Sequence, residues 1–303
     1  MPEKRKSSLY LASLRLDRWP RSTAIAAGTA AVFLAEPERF PAGLNAGLGL
    51  RLLLAFILTW MASTANYIVN EITDAPYDAH HPRKKDRPLV AKEISVPVLL
   101  GVWALLTAAA LGIAWHAFSA ALVWSLGALL AAGILYNVPP LRVKDVPFLD
   151  STLESANNPI RFLVGWYVLA SSFPPLSLLA AWWAFGNFLM IGKRVAEKKF
   201  LSAEEAALYR RSLARCSSGA LVAFMTANGL AFLAMFIVFS VRSGLGTFLY
   251  ALPFIVFYLV IFMFKSIQDR DAAEEPEKQL RNPYFALYTL FLVAIFAIAF
   301  LLR

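Results

Sequence analysis

The sequence predicts an all-α integral membrane protein, a single domain over residues 1–303 built from nine transmembrane helices in one bundle. Three observations predict it. Hydrophobic residues make up 59% of the 303 residues and charged residues 16%, with a mean hydropathy of +0.58, outside the range of soluble globular chains. Nine apolar runs reach or approach the length needed to cross a bilayer, at about 23–37, 49–69, 95–114, 118–137, 152–171, 175–192, 218–240, 246–264 and 284–302. Finally, 24 of the 29 Lys and Arg fall in the N-terminal segment and the connections 70–94, 138–150, 193–215 and 265–283, which nine passages put on one side. The positive-inside rule makes that side cytoplasmic, so a cytoplasmic N-terminus is expected.

The first run is short and rich in Ala and Gly. The fifth carries Asn157, Asn158, Pro159 and Arg161, with Glu154 near its start, which implies a bundle interior rather than lipid. Arg161 is a candidate functional residue there, and pairing with Glu154 as a structural bridge is equally open. The N-terminal stretch is basic without a small-residue cleavage site after it, so no signal peptide is expected. The net charge of +9 does not call for nucleic acid, because the cations sit between apolar runs where topology accounts for them. Cys216 is the only cysteine, so no intrachain disulfide forms and it reads as a small apolar residue.

Chemistry concentrates after the second run. Asn70, Asp74 and Asp78 recur at every fourth position, so on a helix they share one face, with Glu71 one position round. Arg83, Lys84, Lys85 and Arg87 follow at once. Mg²⁺ takes one or two carboxylates, waters and substrate phosphate oxygens, so oxygen donors beside cations suit a metal-bound diphosphate. Spacing alone leaves a solvated charged loop equally open. Pro76 is expected to break or kink the helix before Asp78. His80 and His81 lack the spacing of a zinc helix and read as interfacial or phosphate-contacting.

After the fourth run, Tyr136, Pro140, Arg142 and Lys144 form a Tyr-x-x-x-Pro-x-Arg-x-Lys segment whose cations would flank the same vestibule. After the sixth, Lys193, Arg194 and Glu197 share a helical face by i, i+3 and i+4 spacing and can present two cations and a carboxylate to an anion. Interfacial anchoring is the competing reading.

The order of these motifs along nine runs resembles the UbiA-type intramembrane prenyltransferase superfamily over nearly the whole chain. The resemblance implies a helical bundle around a central cavity, a cytoplasmic cap, an active site facing the cytoplasm, and Mg²⁺-bound diphosphate at Asn70, Glu71, Asp74 and Asp78. Most members have a second aspartate-rich motif after the sixth span, which this chain lacks. Instead Gly192-Lys193-Arg194-x-Ala196-Glu197, Arg211-Ser212-Leu213, Glu275-Pro276-Glu277 and the His81-Pro82 and Arg87-Pro88 pairs resemble the branch containing decaprenyl-phosphate phosphoribosyltransferase. That branch implies transfer of phosphoribose from phosphoribosyl diphosphate to a polyprenyl phosphate, in the inner (plasma) membrane. Asp74, Asp78, Lys193, Arg194 and Glu197 are then the expected catalytic residues, and Asn70, Glu71, Lys85, Arg87, Tyr136, Arg142, Lys144 and Arg161 the expected substrate contacts. The alternative within the superfamily moves a prenyl group from a prenyl diphosphate to an aromatic or other lipid acceptor. A non-enzymatic transporter or lipid-binding protein fits the spans but leaves the acidic motif beside a basic cluster unexplained. Glu71, where Asp is usual, lengthens the carboxylate's reach.

Overall fold

The computed structural model describes residues 3–36, 46–79, 86–200, 211–268 and 282–302, and every regular element among them is helical. In order these are α1 (Glu3–Ser13), a 3-10 segment Leu16–Ala24, α2 (Ile25–Ala35), α3 (Ala46–Asp78), α4 (Val96–Ala117) and α5 (Ala120–Asn137). A short 3-10 turn Val143–Asp145 leads into α6 (Leu149–Leu169) and α7 (Leu176–Phe200). A helical turn Arg211–Ala214 precedes α8 (Ser218–Arg242), and a 3-10 segment Gly246–Ala251 leads into α9 (Leu252–Gln268); α10 (Pro283–Leu301) follows.

Seven of these are long and apolar enough to cross a membrane, namely α3, α4, α5, α7, α8, α10 and the stretch Gly246–Gln268 that includes α9. Two of the nine expected spans differ. The first is realised as α2, whose 11 residues extend about 16 Å, roughly half a hydrocarbon core. The fifth is α6, long enough at 21 residues, but its first half carries Asp150, Glu154, Asn157 and Asn158 and lacks a continuous apolar window.

The chain divides into two compact units, one of residues 1–144 and 157–174, the other of 145–156 and 175–303. In the first, α3 packs on α4 and α5. Its core joins Ala55, Leu58 and Ala62 of α3 to Leu122, Leu126 and Leu129 of α5, with Val164 of α6. In the second, α7 packs on α8 and α9 through aromatic pairs such as Phe185 with Phe232 and Phe188 with Phe262, whose centroids lie 5.0 and 5.6 Å apart. Leu53, Leu105, Trp124, Val241 and Leu290 stand exposed on the helices. Such surface would be a liability in water and is what a lipid-facing helix presents.

Glycine decides one crossing. A Cβ at Gly28 of α2 would run into the Phe162 carbonyl of α6, and one at Gly165 of α6 into the Ile25 carbonyl of α2. The two backbones therefore touch, and the Thr29 hydroxyl donates to the Gly165 carbonyl at 3.2 Å. Gly165→Val is expected to cost at least ~1–3 kcal/mol by overpacking, whereas Gly101→Val on α4, where a Cβ meets nothing within 4 Å, is expected to be neutral. Thermal unfolding of the two variants in one detergent checks the contrast.

Candidate active site

At 33 residues α3 is roughly 50 Å long, so it outreaches a ~30 Å hydrocarbon core by several turns. Its last two turns carry the acidic motif. Of the break or kink expected at Pro76, the break does not occur, and the helix runs on to Asp78. A proline at this position removes one amide and crowds the carbonyls of the preceding turn. In the same turn the Thr73 carbonyl accepts from Arg142 Nη1 at 3.1 Å, which ties this end of α3 to the segment after α5.

The motif does not present one face. It divides into two pairs. Asn70 and Asp74 turn toward the segment after α5: Lys144 Nζ donates to Asp74 Oδ1 and lies 3.5 Å from Asn70 Oδ1, and Arg142 Nη2 reaches Asp74 Oδ1 at 3.2 Å. Glu71 and Asp78, seven residues apart and so two turns along the same side, turn toward Arg87, which donates to Asp78 Oδ2 and lies 3.5 Å from Glu71 Oε2. Arg15 Nη2 completes this second pair, donating to Glu71 Oε2 at 2.6 Å. Asp74 keeps 20% of its side-chain surface and Glu71 only 3%, so Asp74 is the more accessible to a ligand.

Arg142 and Lys144 are buried, which for cations requires partners. Arg142 has a positive φ of 28°, a conformation that persists only where surroundings over-determine it. Its guanidinium does so, bonding the Thr73 and Asn137 carbonyls and Asp74, and stacking 4.0 Å above the Tyr77 ring. Lys144 also donates to Asn137 Oδ1 at 2.8 Å and stands 5.9 Å from the Tyr136 ring. Four cations, Arg15, Arg87, Arg142 and Lys144, thus surround three carboxylates, an arrangement prepared for additional negative charge.

A separate cluster lies in the second unit. Arg194 of α7, 2% exposed, is gripped on all edges of its fork: Nε by Asp150 at 2.8 Å, Nη2 by Glu154 at 2.5 Å and Nη1 by Glu197 at 2.9 Å. Ser212 donates to Asp150 at 3.2 Å, and Lys193 Nζ lies 4.0 Å from Glu197. Lys193 keeps 18% of its side-chain surface and is the more accessible cation of the two. Sequence reasoning found Lys193, Arg194 and Glu197 but missed Asp150, which lay at a loop boundary, and left Glu154 open as a partner for Arg161, whereas it meets Arg194. The available signal for Asp150 was its i, i+4 spacing to Glu154 at the start of α6.

Cys216, also in this unit, is buried, and burial together with the nearby Asp150 carboxylate pushes its thiol up, against smaller opposing effects of Lys198 and a Phe148 backbone hydrogen bond. The thiolate fraction therefore rises at higher pH than in a free thiol. Maleimide is expected to label native protein slowly at neutral pH, faster as pH climbs past the ordinary thiol range, and completely in SDS.

Of the remaining expected residues, Arg161 donates from Nη2 to Ser63 Oγ at 3.3 Å within the first unit. Lys85, with Arg83, Lys84, His80, His81 and Glu275–Glu277, lies outside the described residues. Among the described residues no group of three or more His, Cys, Asp and Glu is placed to hold a metal by protein donors alone.

The model of the UbiA prenyltransferase family matches residues 23–291. The chain belongs to this family. Among curated relatives it is 27% identical over 203 residues to decaprenyl-phosphate phosphoribosyltransferase of Corynebacterium glutamicum, covering 65% of this chain and 56% of that protein. It is 31% identical over 180 residues to lycopene elongase/hydratase of Haloarcula japonica, covering 57% of this chain and 58% of that protein. The chain therefore spans a little over half the length of these two relatives. In fold it is similar to a UbiA homologue from Archaeoglobus fulgidus bound to GPP and Mg²⁺, with a TM-score of 0.69 at 18% identity over 96% of this chain and 99% of that one. Among the described residues the seven helices long and apolar enough to cross a membrane accord with a multi-pass membrane protein of this family.

Proposed function

We propose that the chain transfers 5-phosphoribose from phosphoribosyl diphosphate to a polyprenyl phosphate, releasing pyrophosphate, with Mg²⁺ as cofactor. The observation that carries this reading is Lys193 on α7, an accessible cation on the segment where a second aspartate-rich motif would serve a prenyl donor. A phosphoribosyl donor brings a 5-phosphate besides its diphosphate, and the acceptor brings another phosphate, so cations are needed beyond one diphosphate site. Similarity to proteins named decaprenyl-phosphate phosphoribosyltransferase supports the same reading.

The donor set fits Mg²⁺. Asp74 offers an accessible carboxylate beside the Asn70 amide oxygen, with Asp78 within the same two turns, and Mg²⁺ asks for one or two carboxylates with water and phosphate oxygens making up the rest. When bound, the ion would supply charge neutralisation at the diphosphate. Lys144 and Arg142, now paired with Asp74, are the cations available to the leaving pyrophosphate as charge develops on it. A phosphate oxygen of the acceptor bonds to the anomeric carbon, and the bond from that carbon to pyrophosphate breaks with its electron pair leaving on pyrophosphate. No protein base is required, since the phosphate monoester is already anionic at neutral pH. Lys193 is assigned to a substrate phosphate, with Glu197 orienting it, and Arg161 and Tyr136 to acceptor and donor contacts. In this reading the chain is one domain of the inner membrane, with a cytoplasmic N-terminus and a cytoplasm-facing site.

The second reading is prenyl transfer from a prenyl diphosphate. Tyr77 and Tyr136 favour it, since their rings lie near the cations beside Asp74 and an aromatic face shields an allylic carbocation. Paired assays in detergent test the choice: Mg²⁺-dependent pyrophosphate release with phosphoribosyl diphosphate and polyprenyl phosphate supports the proposal, and release only with geranylgeranyl diphosphate and an aromatic acid overturns it.

A further inference from the structure

We propose that Glu71 is not a metal ligand but the buried anchor that ties the N-terminal segment to the acidic motif. This deepens the proposed function and rests on its metal-bound diphosphate. Glu71 stands in the motif where it would be expected to face the ligand, yet its side chain is 3% exposed and its Oε2 is taken up by Arg15 at 2.6 Å and Arg87 at 3.5 Å. Arg87 in turn donates to Asp78, so Arg15, Glu71, Arg87 and Asp78 form one continuous charge-paired chain.

The N-terminal side of this chain is built to deliver Arg15. Leu9, Tyr10 and Leu14 pack against Ile68 of α3 and against Leu89, Ile94 and Leu99 after the motif. The Tyr10 hydroxyl accepts from the Ser95 amide at 2.9 Å, fastening the segment to the start of α4. Arg15 itself has a φ of 50°, the left-handed region a non-glycine residue adopts only under constraint, and its guanidinium lands on Glu71. A glutamate also accounts for the departure from Asp at this position. Its extra methylene carries the carboxylate to Arg15 and away from Asn70 and Asp74, which pair with Lys144 instead.

The test uses the full chain in detergent with Glu71→Gln, Arg15→Met and, for comparison, Asp74→Asn. Amide hydrogen exchange over residues 9–24 is expected to accelerate at least tenfold in both Glu71→Gln and Arg15→Met and to stay unchanged in Asp74→Asn. Mn²⁺ binding in the presence of pyrophosphate, read by electron paramagnetic resonance, is expected within about twofold of the parent in the first two variants and lost in the third. Loss of Mn²⁺ binding in Glu71→Gln with unchanged N-terminal exchange overturns the proposal, as does a silent Arg15→Met. Should Glu71→Gln fail to fold, Arg15→Met decides by the same two readouts. Neither readout depends on the donor, so an enzyme found to use a prenyl diphosphate overturns the proposed function and leaves this inference to stand or fall separately.

Discussion

Asp74→Asn is expected to lower Mg²⁺-dependent pyrophosphate release by at least ~10²-fold, the scale on which removal of one preorganised charge-stabilising contact acts. The substitution keeps the side chain's volume and removes only its charge. Asp74 is the most accessible carboxylate of the motif and the one shared by Lys144 and Arg142, so its loss acts both on metal affinity and on the arrangement of two buried cations. Folding should survive, because Lys144 retains Asn137 Oδ1 at 2.8 Å and Arg142 retains the Thr73 and Asn137 carbonyls. A destabilisation of about 1–3 kcal/mol is the expected cost of weakening a charged hydrogen bond in a buried setting. Steady-state kinetics with a parallel thermal unfolding curve separate the two effects, and a variant that unfolds before it loses activity would count against a chemical role.

Arg194→Ala is expected to be the most destabilising single change, at about 3–5 kcal/mol, because it removes the common cation of three carboxylates. Arg194→Lys should recover little. An ammonium is a point charge and cannot meet Asp150, Glu154 and Glu197 from three edges as a planar fork does. The compensating design is Arg194→Met with Asp150→Asn and Glu154→Gln, which lowers the uncompensated charge and should regain much of the lost stability. Chemical denaturation in mixed micelles checks the series. A triple variant no more stable than Arg194→Ala would show that the cluster contributes through something other than charge pairing.

How far the sequence reached is clearest at α3. Its apolar run, the acidic motif at its end and the Tyr136 to Lys144 segment were all legible, because local periodicity and short motifs carry them. The grouping of the motif was not. A fourfold spacing puts Asn70, Asp74 and Asp78 on one side of a helix, but each carboxylate turns toward the cation that tertiary structure supplies, and Arg15 lies 56 positions from Glu71. Such a pairing leaves no trace in one sequence. The first run was counted as a span on hydrophobicity, although α2 is too short to cross by itself, and α6 was counted on length although its first half serves a charge cluster. Lys193, Arg194 and Glu197 were found as a face, but their spacing could not reveal that Arg194 is saturated by carboxylates while Lys193 stays accessible.

The central claim is that the diphosphate donor is a phosphorylated sugar. Its most direct test is mass spectrometry of the lipid product after purified protein is incubated with Mg²⁺, phosphoribosyl diphosphate and a polyprenyl phosphate, with Asp74→Asn as the blank. The account predicts a polyprenyl phosphate heavier by one phosphoribosyl group in the parent reaction and absent from the blank. An unmodified polyprenyl phosphate, together with a prenylated aromatic acid when geranylgeranyl diphosphate is the donor, would contradict it.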